Sequence, residues 1–211
     1  ATCTAPLTDG ATLPVGSRKV STQWHPQWKL EVRKAEPGKI TTTIYNGQPD
    51  PLNANAVASC APANALLPEG SPIAVVCKRH EQATTDATGK LGFAAALQAG
   101  VAVRSESYTY NQYGQVLTAK GPRTDINDTT TYAYYADTTV DHRRGDLASV
   151  TNPLGQTTTY NKYNPHGQVL QSTDANGVLT VNTYDLRQRL TSTHVAGELT
   201  LYGYDPAGQL T

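Results

Sequence analysis

The sequence predicts an all-β protein, built as a meander of repeated β-hairpins. Three observations predict this fold class. A unit made of a Thr- or Tyr-rich run, a Tyr-Asn or Tyr-Asp pair, a polar turn, Gly and then Leu or Val occurs four times. Turn-closing residues recur every 9 to 12 residues between Gly145 and Gly208. No stretch after residue 104 has the apolar period and length of a helix.

The four copies of this unit define an array. They cover residues 108–117, 160–170, 183–190 and 202–211. The pairs that begin at Tyr163, Tyr184 and Tyr204 are 21 and 20 residues apart. A fixed period of this size is typical of a repeat protein, in which each repeat packs on its neighbours.

The turns have a chemistry that explains their residues. Asn or Asp opens a turn because its side chain accepts hydrogen bonds from backbone N–H groups two residues on, and Pro presets the next φ. Gly closes the turn because a bulged hairpin needs a left-handed residue there. Gln188 occupies one such position, where the left-handed conformation would strain it. The candidate structural glycines are Gly114, Gly155, Gly167, Gly177 and Gly208.

One tyrosine per repeat is a second class of candidate structural residue. The strands between the turns are rich in Thr, Val and Tyr, which suit a pleated surface. We expect the tyrosines to form a ladder of cross-strand aromatic contacts, each worth about 0.5 kcal/mol. They are Tyr110, Tyr163, Tyr184 and Tyr204.

The regularity of the repeats predicts two domains. Residues 105–211 form the hairpin array, which is truncated within a repeat, and residues 1–104 form an irregular N-terminal region. That region contains a degenerate copy of the unit at residues 36–47 and a long insertion rich in Pro, Ala and Asn at residues 48–80. Residues 91–99 are compatible with either a short helix or a strand.

Two tryptophans precede the degenerate repeat. Trp24 and Trp28 are predicted to lie on one side of a bent strand and to bury a large apolar area. A platform on which a sugar stacks is the alternative interpretation of this pair.

The positions of two cysteines indicate that the insertion at residues 48–80 is constrained by a disulfide. Cys60 and Cys77 bracket 16 residues, and a disulfide closing such a loop would contribute about 3 kcal/mol. The alternative is a pair of buried free thiols. Zinc is not expected, because no Cys-x-x-Cys motif or spaced His pair accompanies them. Cys3 is left over, either free or with a partner outside this sequence.

Composition excludes some classes of function. The 211 residues include 17 Lys+Arg and 17 Asp+Glu, so the net charge is zero and no basic excess points to nucleic acid. No run of eighteen apolar residues suggests a transmembrane segment. The chain contains no Met and no apolar signal core, which indicates a processed product or an excised piece. Low charge, 12 Tyr and abundant Thr favour a secreted or cell-surface protein.

No residue pattern predicts catalysis, a metal or a cofactor. The five histidines are scattered, and the charged run from Asp141 to Arg144 is interpreted as a solvated loop. The chain has no Gly-x-Ser-x-Gly elbow and no phosphate-binding Gly loop. Asp174, Asp185 and Asp205 open turns by their context. The sequence therefore predicts a protein that is not an enzyme.

The placed motifs resemble the Rhs (YD-repeat) family of large bacterial secreted proteins. The resemblance is carried by Tyr163-Asn164-Pro165-x-Gly167, Thr183-Tyr184-Asp185 and Tyr204-Asp205-Pro206-x-Gly208. It covers residues 105–211 well and 36–47 tolerably. The departures are Asn in place of Asp at Asn111 and Asn164, and Gln188 in place of Gly.

The resemblance implies a fold and a role. In that family the repeats wind into a curved, spiralling antiparallel sheet that closes as a hollow shell around a C-terminal toxic domain. Relatives include shell components of insecticidal toxin complexes and the adhesion receptors called teneurins. The family's self-cleaving core end has no matching residues here. The implied partners are therefore the remaining repeats of a parent shell and an enclosed toxin. A surface adhesin or carbohydrate-binding β array, with a glycan as partner, is the alternative.

Overall fold

A computed structural model describes residues 8–211, which fold as two compact units that join between Ile126 and Asn127. Nearly all regular structure in the described chain is β, so the predicted fold class is confirmed. Cys3 lies outside the described residues. The predicted domain boundary between residues 104 and 105 rests on repeat regularity and stays a prediction.

The first unit contains an antiparallel sheet with the strand order β1-β2-β3-β6-β7-β8. A separate two-stranded ribbon, β4-β5, lies within the predicted insertion. The strands are β1 Ser21–Trp24, β2 Glu31–Glu36, β3 Lys39–Tyr45, β4 Pro49–Asp50, β5 Ala56–Val57, β6 Val76–Ala83, β7 Arg104–Tyr110 and β8 Val116–Lys120.

The core of the first unit is centred on β3. This strand pairs with β2 on one side and β6 on the other, and six of its seven residues are buried. Ile44 packs with Ala58 from the insertion and with Cys77 from β6. The insertion therefore folds over the sheet and supplies part of the core.

The second unit is a seven-stranded meander in which each strand pairs antiparallel with the next. Its strands are β9 Thr129–Tyr134, β10 Leu147–Thr151, β11 Thr157–Tyr163, β12 Val169–Thr173, β13 Leu179–Tyr184, β14 Leu190–Val195 and β15 Glu198–Leu201. Tyr163 is the one residue of residues 127–211 that is buried. The unit is a sheet without a separate layer packed on it.

Two local expectations in the first unit are resolved by the structure. Residues 91–99 contain a single 3-10 turn, Gly92–Ala94, rather than a strand. The prediction that Trp24 and Trp28 bury one apolar area together is wrong. Trp24 is 57% exposed, whereas Trp28 stacks on His25 with ring centroids 4.2 Å apart.

Candidate functional site

The recurring tyrosines act through their hydroxyl groups, each of which donates a hydrogen bond to a backbone carbonyl of the preceding strand. The acceptor in every case is the first residue of that strand, 14 to 34 residues earlier in the chain. We call these five bonds the tyrosine latches. They join Tyr45 to Glu31, Tyr110 to Val76, Tyr163 to Leu147, Tyr184 to Val169 and Tyr204 to Leu190, at 2.6–3.2 Å.

Each latch closes a strand pair beyond the point where backbone pairing ends. The β10–β11 ladder ends at the pair Ser149 and Thr159, and the latch acceptor, Leu147, lies two residues further on. The same two-residue offset holds in the β2–β3, β6–β7, β12–β13 and β14–β15 pairs. A carbonyl left unpaired at the end of a ladder needs a partner when it is shielded from water. The latch provides that partner.

The predicted aromatic ladder is therefore wrong. Among the described residues, none of the rings of Tyr110, Tyr163, Tyr184 and Tyr204 stacks on another. Tyr163 on β11 and Tyr184 on β13 lie two strands apart, too far for ring contact across one strand pair. Sequence reasoning identified the residues and assigned them the wrong interaction.

Burial favours the protonated form of four latch hydroxyls. Desolvation raises the pKa of Tyr45, Tyr110 and Tyr184, and it raises the pKa of Tyr163 to about 12. The carboxylate of Asp146 adds to the effect at Tyr163 because it repels a phenolate. Because a donor hydroxyl must be protonated, the raised pKa values extend these four latches to a higher pH than an exposed tyrosine would allow.

The residue after each latch tyrosine in the predicted array opens a turn of one repeated design. In these Asx turns the side-chain oxygen of the opening Asn or Asp accepts hydrogen bonds from the N–H groups two and four residues later. Five turns have both bonds at 2.8–3.1 Å, and they open at Asn111, Asn152, Asn164, Asp174 and Asp185. The predicted role of Asn and Asp as turn openers thus has a concrete geometry.

In four of these turns the side chain of the fourth residue after the opener also bonds the opener's side chain. The amide of Asn164 donates to the Gln168 amide oxygen at 2.8 Å, and Asn111 and Asn152 do the same with their own glutamines. Where the opener is Asp185, the fourth residue is Arg189, whose guanidinium Nε donates to the carboxylate at 2.8 Å. The backbone N–H of Arg189, followed by its side chain, lowers the pKa of Asp185. The three asparagine openers therefore have an amide partner and Asp185 has a cationic one, whereas the fourth residue is Val178 after Asp174 and Gln209 after Asp205.

Turn closure explains the glycines. Gly114, Gly155, Gly167, Gly177 and Gly208 have φ between 77° and 90°, the left-handed region. A Cβ at Gly155, Gly167 or Gly177 would meet no atom within 4 Å, so the requirement is conformational rather than steric. Gln188 adopts the same conformation with φ of 65°, as expected if the turn is unchanged. Its carbonyl accepts a hydrogen bond from Gln168 Nε2 at 2.8 Å, which links the turns that open at Asn164 and Asp185.

The insertion of the first unit is fixed by a disulfide. Cys60 and Cys77 are bonded, with their Cα atoms 5.3 Å apart. The carbonyl of Cys60 accepts a hydrogen bond from Tyr110 N, and its N–H donates to Asn46 Oδ1. Asn46 follows a latch tyrosine, yet its side chain holds the insertion instead of a turn.

A second set of contacts, a buried polar cluster that was not predicted from the sequence, holds Asp50 of the insertion against strand β6. Asp50 is 1% exposed and accepts from Lys78 Nζ at 2.8 Å, while His80 Nε2 lies 3.3 Å away. Burial alone would raise the pKa of Asp50, but the Lys78 ammonium and the Leu52 N–H outweigh it and lower the pKa. His80 also contacts Ser105 Oγ at 2.7 Å through Nδ1. No sequence pattern marks this cluster, because Asp50 on β4 is brought to Lys78 and His80 on β6 only by the fold.

The charged run from Asp141 to Arg144, interpreted from the sequence as a solvated loop, makes several contacts within its unit. His142 stacks on Tyr135 with ring centroids 3.5 Å apart, and Lys162 pairs with Asp141 at 2.9 Å. The carbonyl of Asp141 accepts from Tyr163 N at 2.7 Å, beside the latch of Tyr163. The loop therefore braces β11 rather than being simply solvated.

Within residues 8–211 no group of three His, Cys, Asp or Glu side chains could hold a metal ion. In the same part of the chain, no helix has the length and apolarity needed to cross a membrane.

The fold and these contacts define a class: antiparallel β-hairpin repeats, each closed by a tyrosine latch and an Asx turn. The family model described as RHS Repeat matches residues 142–179 and again residues 163–198. The overlapping matches contain the latches of Tyr163 and Tyr184 and four of the Asx turns. Residues 142–198 are thus Rhs repeats, and the recognition of the Rhs family from the Tyr-Asx units is confirmed.

Solved structures with a similar fold are chains of toxin complexes. One belongs to a TcdB2-TccC3-Cdc42 complex, with 16% identity and a TM-score of 0.50. Another belongs to a Tc holotoxin pore of Photorhabdus luminescens that carries a TccC3 mutation, with 16% identity and a TM-score of 0.52. A third is from TcdB2-TccC3 without its hypervariable C-terminal region, with 17% identity and a TM-score of 0.51.

These similarities concern the fold. Each covers 90% of this chain, which spans only 8–9% of the length of the solved chains. None of the curated proteins matches the chain by sequence.

Proposed function

We propose that the chain is a segment of an Rhs-type β-sheet shell that encloses a C-terminal toxin in a secreted or cell-surface protein. The observation that carries the proposal is the second unit, an Rhs-repeat meander with one buried residue and a latch on alternate strand pairs. Repeats of this kind obtain their burial from neighbouring repeats. The partners are accordingly the remaining repeats and the enclosed domain.

The role is structural rather than catalytic. One carboxylate oxygen of each of Asp174, Asp185 and Asp205 accepts hydrogen bonds from turn N–H groups. The fold shared with chains of TcdB2-TccC3 complexes supports the shell role. The Cys60–Cys77 disulfide supports an oxidising compartment, and therefore a secreted or cell-surface location.

Limited proteolysis of the full-length protein that contains this chain tests the proposal. A shell predicts that the C-terminal domain resists a protease that digests the same domain when it is expressed alone. Replacing Tyr163 and Tyr184 together with Phe should open two latches and accelerate cleavage of the enclosed domain. Tyr160→Phe is the matched control, because the Tyr160 side chain makes no latch in the described chain. Equal cleavage of the enclosed and the isolated domain would overturn the proposal.

The alternative of a carbohydrate-binding β array is favoured by one observation, the indole of Trp24, which is 57% exposed. A glycan array with the purified chain separates the two functions. Binding to one sugar class that is lost in Trp24→Ala would favour the adhesin. Absence of binding to every glycan on the array would favour the shell.

A further inference from the structure

One exposed segment carries a pattern that the hairpin array does not use. It reads Asp125-Ile126-Asn127-Asp128-Thr129. Asn followed two residues later by Thr, with a residue other than Pro between them, is the acceptor pattern of N-linked glycosylation. Bacterial-type oligosaccharyltransferases also require an acidic residue two positions before the Asn. Of the 11 asparagines in the sequence, Asn127 is the one with Ser or Thr two residues later.

The local structure leaves the acceptor accessible. Asn127 is exposed and lies in the irregular residues just before β9. Its Oδ1 accepts a hydrogen bond from Thr129 N at 3.2 Å, which forms an Asx turn. The turn holds the side-chain amide close to the residue whose hydroxyl a transferase must also recognise.

The reacting atom is free, unlike the same atom in three turn-opening asparagines of the array. In the described chain Asn127 Nδ2 has no hydrogen-bond partner, whereas Nδ2 of Asn111, Asn152 and Asn164 donates to a glutamine oxygen within the turn. A transferase would have to break those bonds to reach these three asparagines. It would have to break none at Asn127.

The acidic residue is also within reach of a protein partner. Asp125 pairs with Arg123 through two contacts of 3.1 and 2.7 Å, and both side chains are more than half exposed. Exposed ion pairs contribute little stability and exchange readily. A cationic group on a transferase can therefore replace Arg123.

We propose that Asn127 is an acceptor for an N-linked glycan, transferred from a lipid-pyrophosphate-linked oligosaccharide. Asn127 Nδ2 forms a bond to C1 of the first sugar while the C1–O bond to pyrophosphate breaks. The lipid pyrophosphate leaves with that electron pair, and the nitrogen loses one proton to a transferase carboxylate. Modification in cells rests on the proposed export, because such transferases act on the non-cytoplasmic side of a membrane.

Glycan transfer to the purified, folded chain tests the site without requiring export. The chain is incubated with a purified single-subunit bacterial oligosaccharyltransferase and a lipid-linked oligosaccharide, and the intact mass is measured. We expect an increase of one glycan mass, located by peptide mapping to residues 124–143. Failure of this reaction leaves the shell role untouched, and failure of the proteolysis test leaves this site untouched.

Four variants define the specificity of the reaction. Asn127→Gln and Thr129→Ala should abolish transfer, and Asp125→Ala should lower its initial rate at least tenfold. Asn53→Gln, at an exposed asparagine outside any acceptor pattern, should leave it unchanged. Transfer only to the heat-unfolded chain, or transfer that persists in Asn127→Gln, would overturn the proposal.

Discussion

The two units use the same latch but differ in what surrounds it. The first unit contains seven of the eight buried apolar residues in the described chain, and a disulfide-tied insertion covers its sheet. The second contains only Tyr163, with no insertion and no second layer. Tyrosine latches and backbone hydrogen bonds therefore define the strand pairing in both units. Only the first unit also has a buried core.

This difference teaches that pairing and burial are separable in the fold. Hydrogen bonds in a half-exposed sheet each contribute about 0.5–1.5 kcal/mol, and a sheet of this kind needs further burial to be stable. The first unit obtains burial from its own chain. The second unit leaves both faces half-exposed, as a repeat that packs on other repeats would.

The largest expected effect is loss of the disulfide, which should destabilise the first unit. Replacing Cys60 and Cys77 with Ser removes a link across 16 residues, at a cost of about 3 kcal/mol. Hydrogen exchange resolved by peptide should show faster exchange in β3, β6 and β7. Strands β12–β14 serve as the internal control and should not change. If hydrogen exchange became faster by the same factor in both units, the disulfide would not stabilise the first unit specifically.

A smaller effect is expected from alkaline pH in the second unit. The pKa of Tyr163 is raised from 10.0 to about 12 in the folded chain, mainly by burial. Its contribution is therefore fully present below pH 10 and is lost as the pH rises through 12, by at most about 2–3 kcal/mol. Circular dichroism followed from pH 9 to pH 12.5 measures this loss. In Tyr163→Phe, this component of the pH dependence should be missing.

The Tyr163→Phe substitution at neutral pH should destabilise the second unit by about 1–2 kcal/mol. The hydroxyl is lost and the Leu147 carbonyl remains without its donor. Urea unfolding measures the change, with Tyr160→Phe in the same strand as the control. If the two variants unfold at the same urea concentration, the latch contributes nothing to pairing.

The smallest effect should be a gain of stability in Gln188→Gly. Gln188 has φ of 65°. This left-handed conformation destabilises the fold by about 1 kcal/mol for a residue with a Cβ, and glycine avoids that cost. The carbonyl contact with Gln168 is retained, so we expect a net gain of about 0.5–1 kcal/mol. Thermal unfolding measures it. Gly167→Gln, the reverse change at the equivalent turn, should lower stability by a similar amount.

The sequence was informative where the interactions are local. Asn164, Gly167 and Gln168 lie within five residues, so the spacing of turn residues contains nearly all of their geometry. The left-handed conformation of Gln188 could be predicted for the same reason, because it depends on the position of this residue within its own turn. The aromatic ladder failed because a recurring Tyr indicates a periodic role without indicating which atom of the side chain performs it.

The sequence by itself determined the all-β class, the hairpin period, the turn openers and the Rhs family. Tertiary structure alone decided the latches, the Asp50 cluster and the cover over β3. The physical reason is the nature of the partners. A latch tyrosine bonds a backbone carbonyl 14 or more residues away, and every residue type carries such a carbonyl. Asp50 meets Lys78 and His80 only because the insertion folds back over the sheet.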